Sequence, residues 1–276
     1  MIINELLSGD CVAELEKVES ESIDLTVTSP PWDDIFDYGG HGWDWDRFKA
    51  VAEQLWRITK PGGVVAWDIA DGVEKGFLSA STLRQGGYFL DLGFRLFEKL
   101  VIHQNYRPQP TPTRHGMPPE EVLVFAKGKP KSFRRQLKPN DPKSVGKRFR
   151  YSKRKKDGTI IQRLGTAIKP MGLRSSIWCY SPSCPKCGHE WDGSLTITRA
   201  PVFGSADGIR HYSVHKPAGY TAIHPARMSP ALVRDLILAY SEPGDLILDP
   251  FMGTGTTCEL ALVTHRFFLG MEIYDS

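Results

Sequence analysis

The sequence predicts a doubly wound α/β sheet interrupted by one irregular, basic insert. Three observations carry that expectation. Strand-like and helix-like segments alternate through the first third of the chain and again at its end. The strand-like segments are almost continuously apolar, as in a sheet covered by helices on both faces. Between these regions, from Lys127 to about Tyr220, periodicity is lost and glycine, proline and basic residues dominate.

Ile2–Leu7 and Ile23–Thr28 read as short strands, the second rich in β-branched residues. Cys11–Val18 places Val12, Leu15 and Val18 at helical spacing. Asp44–Thr59 sets Phe48, Val51, Ala52, Leu55 and Ile58 on one helical face, and Lys60-Pro61-Gly62-Gly63 stops it. Gly63–Ile69, Phe94–Ile102 and Val122–Ala126 are further strands. After the irregular region, Pro230–Tyr240 is an amphipathic helix with proline at its start. Glu242-Pro243-Gly244 is a turn and Asp245–Leu248 a strand. A glycine-threonine loop, a helix over Cys258–His265 and a final strand over Phe267–Ile273 complete the chain. No internal repeat is present.

Composition narrows the class. The 276 residues suffice for one large domain or two small ones. With 41% hydrophobic and 24% charged residues, the chain is not disordered throughout. No apolar run approaches the roughly 18–20 residues needed to span a bilayer. The start, MIINELLSGD, lacks the basic and apolar regions of a secretory signal. Cys11, Cys179, Cys184, Cys187 and Cys258 are too few and too uneven for a disulfide framework, so a reduced, cytoplasmic protein is expected. The net charge of +3 averages two unlike regions. Residues 127–174 hold 17 Lys and Arg against Asp141 and Asp157, or +15, which leaves −12 for the rest. Such segregation suits either a polyanionic partner or a solvated basic loop.

Two motifs stand at strand ends. Asp249-Pro250-Phe251-Met252-Gly253-Thr254-Gly255-Thr256-Thr257 lies where a strand gives way to a helix, the ligand-binding position of open α/β sheets. A triphosphate-binding loop needs Gly-Lys-Ser/Thr, and no lysine is present. A dinucleotide loop needs a third small residue where Cys258 stands, although Glu272 supplies the acid about 20 residues on. An adenosyl cofactor fits as well, with Glu272 accepting from its ribose diol. A purely structural turn is the remaining reading. The second motif, Thr28-Ser29-Pro30-Pro31-Trp32, sets a hydroxyl, a carbonyl without an internal donor and an aromatic face side by side. Such a group accepts hydrogen bonds from an exocyclic amine while the ring stacks on a base.

Together these motifs resemble the amino-methyltransferases of DNA, which methylate N4 of cytosine or N6 of adenine. The order, SPPW before DPFMGTGTT, is similar to the β group, whose Rossmann-like methyltransferase sheet is circularly permuted. Gly9-Asp10-Cys11 resembles the family's adenine-contacting element, and residues 120–127 resemble the strand closing its catalytic half. His224-Pro225-Ala226 and the following helix resemble the lead into the cofactor loop. The resemblance covers 1–127 and 221–276 as a catalytic and cofactor domain, leaving 128–220 as a target-recognition insert.

The resemblance implies direct transfer of a methyl group from S-adenosyl-L-methionine, with double-stranded DNA as partner and a homodimer allowed. It assigns amine recognition to Ser29 and Pro30, with Pro31 in the same turn, and stacking on the flipped base to Trp32. Asp10, beside Cys11, is expected to hold the cofactor's adenine amine, and Glu272 its ribose. Asp249, Phe251, Gly253, Gly255, Thr256 and Thr257 are expected to wall its methionine end. Serine in the first motif position is associated in the family with cytosine N4 and aspartate with adenine N6, so Ser29 favours cytosine. Trp32 departs from the commoner tyrosine or phenylalanine. None of the cysteines follows a proline, which disfavours carbon methylation.

Cys184-Pro185-Lys186-Cys187 has zinc-knuckle spacing, and His211 with His215, or Cys179 with His189, offers a second ligand pair. A structural turn competes with zinc there. Asp33–Trp45 reads as a loop able to close over a flipped base, or as an ordinary surface loop. Outside methyl transfer, a non-catalytic nucleic-acid-binding module and an NAD-dependent oxidoreductase are the alternatives.

Overall fold

The computed structural model describes residues 3–32, 42–103, 119–179 and 228–273. It divides into two units, one built from 1–134 and 176–276, the other from 135–175. In the first unit the chain runs β1 (Glu5–Ser8), α1 (Cys11–Glu16), β2 (Ile23–Thr28), α2 (Trp45–Ile58), β3 (Thr59–Ile69), β4 (Val73–Glu74), β5 (Phe77–Leu78), α3 (Ser81–Asp91), β6 (Arg95–His103) and β7 (Glu120–Ala126). The second unit holds β8 (Leu137–Pro139), β9 (Arg150–Arg154), β10 (Ile160–Leu164) and β11 (Met171–Leu173). The first unit then resumes with β12 (Ile177–Cys179), α4 (Pro230–Tyr240), β13 (Leu246–Asp249), α5 (Thr256–Val263) and β14 (Phe267–Glu272).

Eight strands form the central sheet in the order β1-β14-β13-β2-β3-β7-β6-β12. The first five are parallel to one another, whereas β7 runs antiparallel to both β3 and β6. Strand alternation sends neighbouring side chains to opposite faces. On β3, Val64 and Ala66 join a core with α4 and α5, while Val65, Trp67 and Ile69 join a core with α1, α2 and α3. The sheet is therefore covered on both sides, as its apolar strands predict.

The helix α2 shows how local signals act. Asp44 is extended and accepts from the Arg47 N–H at 2.8 Å, capping the first turn. Phe48, Val51, Ala52, Leu55 and Ile58 are buried, and each large one contributes about 1.5–3 kcal/mol. The helix ends where Thr59 turns extended and its hydroxyl donates back to the Leu55 carbonyl at 2.6 Å.

Three differences from the expected elements have physical reasons. The strand expected from Gly63 begins at Thr59, because Ile23 pairs with Thr59 and Leu25 with Val64, so Lys60–Gly63 bulges from the ladder. The bulge is held by Gly62, at φ +82°, whose N–H donates to the Lys127 carbonyl at 2.7 Å. Helix α3 had no sequence signal strong enough to announce it, since Gly86 and Gly87 each weaken a helix by about 1 kcal/mol. Burial of Phe89 and a buried bond from Trp67 Nε1 to Gln85 Oε1 (2.8 Å) offset that cost. Within 128–220, Ile177–Cys179 pairs parallel with β6 and Trp178 is buried in the main core.

Candidate active site

Five parallel strands end at one edge of the sheet, and that edge gathers most of the motif residues. Gly9 and Asp10 follow β1, Glu272 ends β14, Asp249 ends β13, and Thr28 ends β2 with Ser29 just beyond it. Asp68 lies near the end of β3, and Glu120 opens the antiparallel β7 at the same edge. With strands about 4.8 Å apart, four gaps from β1 to β3 span roughly 19 Å. That length accommodates an elongated nucleoside with a second ring beside it.

Asp10 is the N-cap of α1. Its Oδ1 accepts from the Val12 N–H at 2.9 Å and Ala13 N–H at 3.3 Å, and its Oδ2 pairs with Arg47. Both oxygens therefore have protein partners, and Arg47 is a neighbour that sequence reasoning missed. Cys11 is buried in the first helical turn, and burial pushes its thiol up to about 11. Cys258 is likewise buried, with its thiol raised by desolvation. Neither is a thiolate nucleophile at neutral pH.

The glycine-threonine loop folds back onto β14. The Gly253 N–H donates to Glu272 Oε2 at 2.7 Å, and the Met252 N–H to the Met271 carbonyl at 3.0 Å. Gly255, at φ +80°, starts α5 without a side-chain cap and has open space where a Cβ would stand. Thr254 and Thr256 hydroxyls lie 3.3 Å apart, while Thr257 donates to the Val27 carbonyl at 3.4 Å and ties α5 to β2. Phe251 is half-buried, its ring edge-on to Trp43 at 5.2 Å and to Trp67 at 6.4 Å.

Asp249 is buried and accepts from the Thr28 hydroxyl at 2.7 Å and from the Phe251 N–H at 3.1 Å. Burial nevertheless pushes its carboxyl up to about 6, against the pull of those donors. A carboxylate at each of two adjacent strand ends, an open glycine turn and an aromatic wall fit a ligand with cationic sulfur and nitrogen and a ribose diol. The residues present suit S-adenosylmethionine.

The second motif meets partners that sequence did not supply. Ser29 is half-buried and Pro30 buried. Trp32 Nε1 donates to the Asp68 backbone carbonyl at 3.3 Å, which fixes the indole beside the end of β3. The Asp68 side chain is 1% exposed and lies against Ser29 and Glu120, while its Oδ1 has no partner. Burial raises its pKa well above the carboxylate range, the neighbouring Glu120 carboxyl raises it further, and Ser29 opposes the shift. A single acid inside the apolar run GVVAWDI was the available signal for Asp68. Nothing local marked Glu120 as its partner.

Cys184, Cys187, His189, His211 and His215 lie outside the described residues, as do 33–41 and His224-Pro225-Ala226. Among the described residues, no three His, Cys, Asp or Glu side chains gather into a metal site. No described helix is long and apolar enough to cross a membrane.

The fold is a Rossmann-like sheet with a glycine-threonine loop after β13 and a Ser-Pro-Pro-Trp turn after β2, and its likeness to known proteins gives its class. The N6/N4 DNA methylase family model matches residues 23–276. The chain belongs to that family, the DNA amino-methyltransferases, and S-adenosylmethionine is the family's cofactor. It is 33% identical to the orphan methyltransferase M.BamHII of Bacillus amyloliquefaciens, over 94% of this chain and 86% of that protein. Type II methyltransferase M.BglII of Bacillus subtilis is 24% identical over 98% of this chain and 66% of its own length. Among solved structures, the cytosine-N4-specific PvuII DNA methyltransferase superposes with a TM-score of 0.61 at 22% identity, over 99% of this chain and 83% of that one. A Thermus thermophilus protein complexed with S-adenosyl-L-methionine gives 0.56 at 20%, over 98% and 89%.

Proposed function

We propose that this chain methylates the exocyclic N4 amine of a cytosine flipped out of double-stranded DNA, at a specific site, on a circularly permuted sheet. The observation that carries this reading is the buried Asp68, with an unpartnered Oδ1, set beside Ser29 and Glu120 at the ends of β2, β3 and β7, with Trp32 anchored on its backbone carbonyl. Asp10, Glu272, Asp249 and the loop from Phe251 to Thr257 form the cofactor side of the same edge.

Bound S-adenosylmethionine supplies an electrophilic methyl group. The residues must then make a poor nucleophile attack it. The amine's lone pair is delocalised into its ring, so an acceptor for its protons favours the pyramidal, reactive form. With its proton turned toward the neighbouring Asp68, Ser29 would leave its oxygen lone pairs to accept from the amine. Once ionised, the buried carboxyl of Asp68 strengthens that polarisation and can take the proton released on methylation. Trp32 stacks on the base and holds it in line for transfer, a positioning effect that needs no covalent intermediate. Ser29 in the first motif position supports cytosine over adenine. The basic region 128–220 is the part assigned to target recognition, with zinc at Cys184 and Cys187 as its proposed staple. Metal analysis of protein purified without chelator checks that ion, and finding none removes it.

Incubating the protein with tritiated S-adenosylmethionine and DNA, then separating the nucleosides, tests the reaction. Label in N4-methylcytosine is expected. Label confined to N6-methyladenine replaces the base assignment, and label on no base overturns the reaction.

A further inference from the structure

The unit 135–175 carries thirteen Lys and Arg against Asp141 and Asp157, a net charge of +11 within 41 residues. Its longest regular feature is the antiparallel ribbon of β9 and β10, in which Arg150 pairs with Leu164, Ser152 with Gln162 and Arg154 with Ile160. These six side chains share one face, and all are exposed. The other face carries Tyr151, Lys153, Ile161 and Arg163, and is partly spent on local packing. Ile161 is only half-exposed, and the Tyr151 ring lies 3.8 Å from where a Cβ on Gly165 would stand.

The open face has the chemistry of base reading rather than of general phosphate attraction. It offers two guanidinium forks, one carboxamide and two apolar side chains. Arginine pairs bidentately with guanine, glutamine with adenine, and apolar groups contact the thymine methyl. The amide is held in place, because Gln162 Nε2 donates to the Ser152 hydroxyl at 2.8 Å, leaving its second N–H and its oxygen for a ligand. A free amide would lose rotamer entropy on binding; this one has already lost much of it.

The turn at the tip has a different character. Lys155 and Lys156 sit there, closed by bonds from the Gly158 N–H to the Lys155 carbonyl (3.1 Å) and from the Lys155 N–H to the Thr159 carbonyl (2.8 Å). Ammonium groups on a tight turn suit phosphates, which position a protein without reading sequence. Five residues per strand reach about 17 Å, or about five stacked base pairs, and the major groove admits a two-stranded ribbon.

We propose that the β9–β10 ribbon enters the DNA major groove and that Arg150, Arg154 and Gln162 read base edges there, with Lys155 and Lys156 on the phosphates. This proposal rests on the DNA-methylation reading above and names the reading element within its recognition region. The test compares three full-length variants with the wild type: R150A/Q162A on the open face, K155A/K156A at the tip, and R163A on the other face. Each is expressed in cells lacking other methyltransferases, and methylated sites are mapped by modified-base sequencing. DNA binding is measured across a salt series, and S-adenosylmethionine binding by calorimetry.

R150A/Q162A is expected to relax the methylated motif, with discrimination falling about tenfold or more at one or two positions, and to bind cofactor normally. K155A/K156A should keep the motif and flatten the salt slope by about two units. R163A should keep the motif. An unchanged motif in R150A/Q162A, beside a wild type that methylates a defined site, overturns the ribbon while the methylation reading stands. A wild type that modifies no DNA overturns the reading itself, and the ribbon with it.

Discussion

The proposed activation of an amine by a single serine hydroxyl depends on what stands behind it. Ser29 meets Asp68, and Asp68 meets Glu120, in a site closed to water on the carboxyl side. On the proposed role of these groups in handling the base, replacing Ser29 or Trp32 with alanine is expected to lower methyl transfer about 100-fold or more while sparing cofactor affinity. Calorimetry with S-adenosylmethionine beside a tritium transfer assay checks this, and equal loss of both contradicts the assignment. The neighbouring Glu120 carboxyl raises the pKa of Asp68 beyond what burial does. Glu120→Gln should therefore move the acid limb of the kcat–pH profile to lower pH, and a shift the other way would sink the link.

Asp249 gives a second titration, one of stability. Its carboxyl is pushed up to about 6 by burial, from an ordinary 3.8. Below 3.8 folded and unfolded chains both hold the proton; between the two values only the folded chain holds it. This group's stabilising contribution is thus full at low pH and is lost as pH rises through about 6, by up to about 3 kcal/mol. Asp249→Asn should gain on the wild type by that order between pH 4 and 7 in denaturant titrations. A constant difference across that range would show that Asp249 ionises normally.

At the scale of elements, the candidate site depends on β14 pressing close to the glycine-threonine loop. A Cβ on Gly270 of β14 would stand 2.5 Å from Met252 Sδ and 2.6 Å from Cys258 Sγ, both buried. Gly270→Ala should therefore cost about 1–3 kcal/mol, read from urea midpoints, and weaken S-adenosylmethionine binding by shifting the loop. Stability unchanged from wild type would mean that the loop yields freely. Elements with strong periodic or terminal signals were legible in the sequence. β2 and α4 have the expected bounds, and α2 differs only in that Asp44 and Thr59 serve as its caps. Helix α3 was not legible, because its glycines hide a segment that the Trp67–Gln85 bond and buried Phe89 hold in place.

For the molecule as a whole, the near-neutral net charge is the sum of opposed parts. The unit 135–175 carries +11, leaving −8 for the remaining residues. Phosphate contact is expected to come mainly from the basic part, while Asp249 and Glu272 flank the glycine-threonine loop. DNA affinity should therefore fall about 10³- to 10⁵-fold between 50 and 200 mM salt if six to ten phosphates are neutralised. Cofactor affinity should stay nearly constant over the same range. A shallow salt dependence of DNA binding would remove the basic region from the interface.

The sequence by itself determined the layered α/β class, the two strand-end motifs and the separation of basic from acidic chain. Those features are local: they follow from side-chain periodicity, from turn residues and from composition. Only the tertiary structure decided that Asp68 and Glu120 stand behind Ser29, that Arg47 shares Asp10, and that one face of a basic ribbon is open. These pairings join residues far apart in the chain, through strand order and register that no local pattern encodes. Burial then gives the assembled groups their chemistry, since a carboxyl removed from water holds its proton where an exposed one would not.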